Sequence, residues 1–437
     1  MQIVPQKQGI AKIWKKIKGA VPKYKWLRTM YLRMRAVSEL PSVWKTQRNY
    51  EKKRRELSKN KERIKVVFLV AESTKWNGDS LYKLLEKDSR FSPIIVYIPL
   101  HTRINTDQTD DFHCQFFEAR GYNFAAISSG AKVRDYKPDI VFYQQPWLLE
   151  MEPDLNPMNV SQHALCLYFH YGIVAASENL DDYSLFIKTL YRYFVFNATV
   201  KEHLKTKDIH NTIVTGHPKM DAYLEPVKTC PWKDERKFKI VYAPHHSFKS
   251  SFLRLQLQWA TFDWNGRELL EWAKAHTNTE WILKPHSHFR AAVIRNEIMN
   301  EAEIEEYYNE WNKVGAIYNQ GDYFDIFRTA DLLITDCGSF LTEWLPTGKP
   351  CIHLLTENEA QKNRSLVHEN SSRHYYKVKN IEELEATMEM LVVRREDPLA
   401  KARIQDAKTV PLDCAKNIYQ WLVETIWGEK REAESQS

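Results

Sequence analysis

The sequence predicts an α/β protein with two Rossmann-like, doubly wound parallel-sheet domains facing a cleft, behind a basic helical N-terminal extension. Three observations predict it. Short apolar runs alternate with helically spaced segments in two successive series, and such alternation builds parallel sheets. The stretch from Leu224 to Lys237, with Pro226 and Pro231, reads as a linker between the two series. The 437 residues also exceed what one core usually organises, roughly 250–300 residues. The domains so drawn are an arm (1–63), a first Rossmann-like domain (64–225), a second (226–410), and a closing crossover helix with a polar tail (411–437).

The arm and the body differ in charge. Residues 1–65 hold 20 Lys and Arg against 4 Glu, a balance of +16, while the whole chain is +7 and the remainder therefore about −9. Two short amphipathic patterns, broken by Pro22 and Pro41, run along the arm. In the first, Ile13, Trp14 and Ile17 lie among Lys12, Lys15, Lys16 and Lys18. In the second, Trp26, Leu27, Met30, Tyr31 and Met34 repeat at helical spacing with Lys25, Arg28, Arg33 and Arg35 between them. Trp and Tyr beside Lys and Arg is the pattern of a helix in the headgroup layer, where each basic residue near an anionic leaflet is worth about 1 kcal/mol. The arm therefore predicts a peripheral protein on an anionic membrane, at the cytoplasmic face of the plasma membrane. The plainer alternative is a helix packing its stripe on the body. Lys52-Lys53-Arg54-Arg55 mimics a nucleic-acid patch, but no recognised binding fold follows it, so no nucleic-acid partner is expected.

Within the first domain, predicted strands start near Ile64, Ser92, Pro138, Ala164, Tyr193 and Ile213, with helices near Ser80–Leu85, Asp110–Arg120, Leu185–Tyr193 and Val200–Leu204 between them. In the second, strands near Phe238–Ala243, Trp281–Lys284, Ala316–Tyr318 and Leu332–Ile334 alternate with helices near Gly266–His276, Ala291–Tyr308 and Tyr323–Arg328. Amphipathic helices follow at Ile381–Arg395 and Cys414–Trp427. The most informative segment begins at Leu332. A buried-type strand runs into the turn Thr335–Ser339, where Gly338 permits a tight bend, Ser339 reads as an N-cap and Thr342-Glu343 as first-turn acid. Gly348-Lys349-Pro350 then stops the helix before the strand Cys351–Leu355. A helix starting just after a strand offers free N–H groups and its positive dipole end, which suits a phosphate.

Several classes are excluded or disfavoured. No Gly-x-Gly-x-x-Gly occurs, which argues against a glycine-cradled dinucleotide, and no Gly-x-Ser-x-Gly, which argues against an α/β-hydrolase. The six cysteines, at 114, 166, 230, 337, 351 and 414, lack Cys-x-x-Cys spacing and read as reduced apolar residues rather than structural zinc ligands. No 18-residue apolar run predicts a spanning helix.

Several further segments bear on family. Ala330 to Trp344 resembles the Thr-Asp-Tyr-Ser-Ser signature of the CDP-glycerol glycerophosphotransferases, the family that builds teichoic acids and related capsules. Asn77 to Leu85 resembles the helix after that family's first strand, and Tyr168-Phe169-His170-Tyr171-Gly172-Ile173 its His-Gly-Thr-Pro segment. Thr215 to Asp221 resembles its Gly-x-Pro-Arg-x-Asp turn, Tyr242 to His246 its Tyr-Ala-Pro-Thr-Trp, and Leu283 to His286 its Lys-x-His-Pro. The segments fall in the family's order across roughly residues 64 to 410. Cys337-Gly338, Tyr171 and His245-His246 depart from the pattern where donor and acceptor would be read.

The resemblance implies a GT-B architecture and a CDP-activated donor, used as substrate with no cofactor. A glycerol-phosphate or similar polyol-phosphate unit would pass to a hydroxyl of a lipid-linked or growing surface glycan. Candidates for this chemistry follow predicted strands, as ligand sites in open α/β sheets do. His170 is read as the base, since imidazole titrates near neutrality. His286 would bind or protonate the departing phosphate, helped by Lys284 and more distantly by Arg290. Gly338, Ser339 and Phe340 would hold the β-phosphate and Glu343 the ribose. One of His245 and His246 would face the cleft, His217 would line it, and Asp336 would cap the turn. Metal dependence is not expected: Asp-x-Asp is absent, and neither His245-His246 nor His286-x-His288 has a carboxylate or cysteine at ligand spacing. Other readings share this sequence: a glycosyltransferase using a CMP-, UDP- or GDP-sugar, and a non-catalytic scaffold of a capsule-assembly complex. A sugar-nucleotide epimerase would share the architecture but have little use for a basic, Trp-studded arm. Oligomeric state is not legible.

Overall fold

A computed structural model describes residues 25–59, 62–99, 109–145, 153–173, 185–248, 259–319, 322–356 and 370–428. Two parallel sheets organise them. The first has seven strands, β1 (Ile64–Val70), β2 (Phe91–Tyr97), β3 (Phe124–Ala126), β4 (Ile140–Tyr143), β5 (Leu165–Phe169), β6 (Arg192–Val195) and β7 (Thr212–Val214), in the spatial order β3-β2-β1-β4-β5-β6-β7. The second has six, β8 (Phe238–Ala243), β9 (Thr279–Leu283), β10 (Gly315–Ile317), β11 (Leu332–Thr335), β12 (Cys351–Leu354) and β13 (Tyr376–Val378), in the order β10-β9-β8-β11-β12-β13. Central strands such as β5, β9, β11 and β12 are buried along their whole length, because helices cover both faces of a doubly wound sheet. Each sheet follows the Rossmann order, with chain direction across the sheet reversing between β1 and β4 and again between β8 and β11. Ligands of such sheets bind outside the carboxyl ends of strands at these switch points.

Short elements escape a reading of periodicity. Strands β3 and β13 have three residues each, too few to display a pattern. The helix expected over 291–308 is two, Phe289–Arg295 and Glu301–Val314. Between them Glu297 takes φ +56°, and Asn300 opens the second helix with a capping box completed by Glu303.

The closing helix Cys414–Trp427 buries Ile418, Leu422 and Ile426 in the core of the first sheet, and its first amides, of Cys414 and Ala415, donate to the Asp221 carboxylate. Gly216 makes this junction possible. It holds φ +78°, and a Cβ there would meet Cys414 Sγ at 2.2 Å. Gly216→Ala is therefore expected to cost about 2–3 kcal/mol through strain and collision together, read as a lower urea midpoint at unchanged slope.

The arm differs from its expected form. One helix runs from Lys25 to Leu57 straight through Pro41, which does not break it. Tertiary anchors downstream explain this. Tyr50 and Leu57 are buried in the first core, Tyr50 Oη donates to Thr189 O at 2.8 Å, Gln47 Nε2 to Leu190 O at 2.7 Å, and Lys53 pairs with Asp139 at 2.7 Å. Within the basic run Lys52–Arg55, Lys53 thus docks on the body, while Lys52 and Arg54 pair with Glu56 and Glu51 of the same helix. Earlier in the helix, Met34, Val37, Leu40 and Trp44 stand exposed within an arc of about 120°. Trp14, Lys15 and Lys16 lie outside the described residues, and Trp26, Arg28 and Arg33 are described as helix backbone alone. Among the described residues no helix is long and apolar enough to cross a membrane.

Candidate active site

At the carboxyl ends of β8 and β9 the sheet ladder continues into two loops. Lys284 N donates to Tyr242 O at 2.7 Å and His286 N to Pro244 O at 3.2 Å, so the loops Pro244–His246 and Lys284–His288 run side by side. Asp336, at the end of β11, accepts from His245 N at 2.7 Å, Thr261 N at 2.8 Å and Thr261 Oγ1 at 2.9 Å, and it is fully buried. These bonds put four imidazoles together. The ring of His286 stacks on His246 at 4.0 Å and lies 5.1 Å from His245, and His288 is 5.5 Å from His246. Burial, reinforced by His288 and Arg295, holds the His246 imidazole down at about 4. Lys284 is buried beside them, its ammonium pushed down to about 8 by burial and then by Lys219. Its Nζ sits 4.6 Å from the Tyr323 ring centroid and 5.6 Å from that of Phe340.

The turn after β7 ties this half to the other. Lys219 reaches across to Glu343 at 2.8 Å and to Tyr323 Oη at 2.6 Å, while Tyr323 donates to the second Glu343 oxygen. In the same turn His217 accepts from Lys219 N through Nδ1 and meets His170 O with Nε2. His170 ends β5, buried, with Nδ1 at 3.0 Å from Gly172 O and 3.1 Å from Gly172 N. Gly172 N can donate to Nδ1, and in the other tautomer a proton on Nδ1 is donated to that carbonyl and leaves Nε2 as proton acceptor. Beyond the ends of β1 and β4, Phe68, Trp76, Asn77, Phe142, Gln144 and Tyr171 line a small recess. Lys75 Nζ lies 5.1 Å from the Tyr171 ring centroid.

Several candidates stand differently from their expected roles. Ser339 is not the N-cap: Cys337 is, with no side-chain cap bond, and Ser339 lies in the helix Gly338–Trp344 with its Oγ 3.4 Å from Cys337 Sγ. No acid occupies the first turn, because Thr342 and Glu343 lie farther along the helix and are fully buried. Both Glu343 carboxylate oxygens are engaged by Lys219 and Tyr323. Arg290 is exposed and pairs with Glu305 at 3.0 Å, at a helix start beyond the histidine loops. Asp336 caps more than its turn, since it secures the segment carrying His245. Lys219, Tyr323 and His288 are the functional candidates that sequence reasoning passed over, although Lys219 stands in the Thr215–Asp221 turn and His288 in His286-x-His288.

The buried histidines make stability pH-dependent. Burial holds His170 at about 4, with Lys75 adding to it, and His217 at about 3, with Lys219 and His170 adding, against 6.5 unfolded. Both are depressed histidines, so the unfolded chain binds the extra protons and stability falls as pH drops below about 6.5. At pH 5 each is expected to cost about 2 kcal/mol, together about 4 kcal/mol, visible as a falling melting temperature between pH 7 and 5. A flat melting temperature over that range would contradict the burial of these rings.

No protein-family model matches the sequence, and no curated protein matches it. Solved structures do. The UDP-GlcNAc 2-epimerase from Neisseria meningitidis bound to UDP-GlcNAc superposes with a TM-score of 0.55 at 13% identity, over 84% of this chain and 100% of that one. The wall teichoic acid polymerase TagF, in a structure soaked with CDPG, superposes with a TM-score of 0.54 at 12% identity, over 92% of this chain and 98% of that one. This is a GT-B fold. A UDP-N-acetylglucosamine 2-epimerase from Listeria monocytogenes gives 0.55 at 15% identity over 86% and 100%. At these identities the likeness concerns the fold. GT-B proteins of differing chemistry share it, so function must be argued from the site.

Proposed function

We propose that this GT-B protein is a transferase that moves a polyol-phosphate unit, glycerol phosphate in the first instance, from a CDP-activated donor to a hydroxyl of a lipid-linked or growing surface glycan. One observation carries the reading: the buried cation Lys284 and the histidine loops converge at the β8–β11 switch point, beside the helix that starts at Gly338. That is a desolvated site for an anion, where each charged contact is stronger than in water.

In this reading His170 Nε2 takes the proton of the acceptor hydroxyl. The oxygen attacks the phosphorus that carries the glycerol, the bond from that phosphorus to the CMP oxygen breaks, and CMP leaves with the electron pair. Lys284, His286 and the amides at Gly338–Phe340 take up its charge, and the proton on His170 passes to solvent. The exposed Met34, Val37, Leu40 and Trp44 of a helix rich in Lys and Arg support a peripheral hold on an anionic membrane near lipid-linked acceptors.

The test is the melting temperature of the purified protein against CDP-, CMP-, UDP- and GDP-linked compounds, since a ligand that binds only the folded state raises it. Selective stabilisation by CDP-glycerol or CDP-ribitol, lost in Lys284→Gln, supports the reading. Stabilisation by a UDP- or CMP-sugar moves it to glycosyl transfer, and no response to any nucleotide overturns the donor site.

A further inference from the structure

We propose that His245, His246 and His286 form a transition-metal site, with His288 as a neighbouring fourth imidazole. In sequence the pairs His245-His246 and His286-x-His288 each look too poor in ligands to hold an ion. The fold merges them. One ligand nitrogen from each of His245, His246 and His286 lies within 4.8 Å of the others. Three nitrogens at about 2.0–2.1 Å from a tetrahedral Zn²⁺ stand roughly 3.4 Å apart, so side-chain rotations of modest size close the set.

Two further observations point to a ligand. Nδ1 of His246 is buried and makes no hydrogen bond, a costly state for a nitrogen that a metal would satisfy. The rings around it are also pre-oriented. His245 Nδ1 accepts from Ser247 N at 3.2 Å and lies 2.8 Å from Ser247 Oγ, and His286 Nδ1 accepts from His288 N at 3.1 Å, so each ring is fixed in orientation within its own loop. Asp336, holding His245 N, and the ladder bond from His286 N to Pro244 O make the scaffold rigid.

The donor set selects the ion. Three imidazoles with no thiolate and no carboxylate suit Zn²⁺, Cu²⁺, Ni²⁺ or Co²⁺ and not Mg²⁺ or Ca²⁺, which take oxygen ligands. Three protein ligands also leave a coordination position open, as catalytic zinc sites do. An open position could take an anionic oxygen, yet the binding claim stands whether or not the protein transfers polyol phosphate.

The experiment uses the full-length, tag-free protein after EDTA treatment and dialysis. Zn²⁺ titration by calorimetry, and Co²⁺ titration followed by its visible d–d absorption, report stoichiometry and geometry; Mg²⁺ serves as control. The expected result is one Zn²⁺ per chain, an intense Co²⁺ spectrum of tetrahedral type, no response to Mg²⁺, and a higher melting temperature with Zn²⁺. In His246→Ala and His286→Ala, Zn²⁺ affinity should fall by about 100-fold, while Arg290→Ala leaves it unchanged. Circular dichroism of the metal-free variants establishes that they are folded, and His246→Gln replaces His246→Ala if the latter is not. Millimolar or weaker Zn²⁺ binding by the parent protein, or tight binding that survives in a folded His246 variant, overturns the proposal.

Discussion

Replacing Asp336 with alanine is expected to cost about 4 kcal/mol of stability, the largest single loss among the residues around the site. The carboxylate is fully buried, and it accepts hydrogen bonds from His245 N, Thr261 N and Thr261 Oγ1. Alanine leaves two buried amides without their acceptor, each worth about 1–3 kcal/mol, whereas the threonine hydroxyl can turn elsewhere. Asparagine discriminates the causes. One carboxylate oxygen serves Thr261 and the other His245, so an amide that keeps its oxygen toward Thr261 points its NH₂ at the His245 N–H. Asp336→Asn should therefore still lose about 2 kcal/mol, and Thr261→Ala about 1 kcal/mol, since it removes one bond and strands no amide. Because Asp336 and Thr261 share those bonds, the double substitution should cost less than the sum of the singles. Urea unfolding of the four proteins measures this. A loss below 1 kcal/mol for Asp336→Ala would mean that the histidine loop is not held through this carboxylate. The effect reaches the site, because His245 would lose its backbone tether.

Why some of this is legible in the sequence and some is not follows from distance along the chain. Runs such as Leu332-Leu333-Ile334 and Pro138 to Tyr143 announce buried strands because a doubly wound sheet is apolar on both faces, and the fold class follows from their alternation. Strands β3 and β13 stay hidden because three residues carry no period. Pro41 misleads for a tertiary reason, as Tyr50 and Gln47 fasten the helix beyond it. Site residues after strands could be picked out, since the carboxyl ends of strands are where such sheets bind ligands. What they touch could not. Glu343 looks like first-turn acid in the sequence, and only the packing of the turn after β7 shows Lys219 and Tyr323 holding it. The two histidine pairs lie far apart in the chain, and their convergence depends on β8 and β9 being neighbours with their loops laddered together. Pairing between strands is a non-local fact, and no local spacing rule contains it.

His170→Ala is expected to lower turnover by about 10³-fold, within the 10²–10⁴ typical of a general base, with nucleotide affinity changed by less than about 3-fold. The position of the ring sets this expectation. It ends β5 in the first sheet, while the cation and the histidine loops end strands of the second, so its loss leaves the donor half in place. The ring is also unprotonated at pH 7, because burial holds it at about 4. A base must be unprotonated to act, so activity is present above its pKa and lost below it. The acid limb of kcat/KM should thus fall near pH 4–5 rather than near 6.5, as far as the protein stays folded there. A residue that merely supported the fold would give another pattern. His170→Gln would then retain turnover, and the alanine variant would lose nucleotide affinity along with rate. Exogenous imidazole separates the cases further, since a small base can fill the space left by the missing ring but cannot restore a misplaced loop. If turnover of His170→Ala is unchanged, or lost in proportion to nucleotide binding with no rescue, the base lies elsewhere. The recess lined by Trp76, Asn77 and Tyr171 would be the next place to look for it.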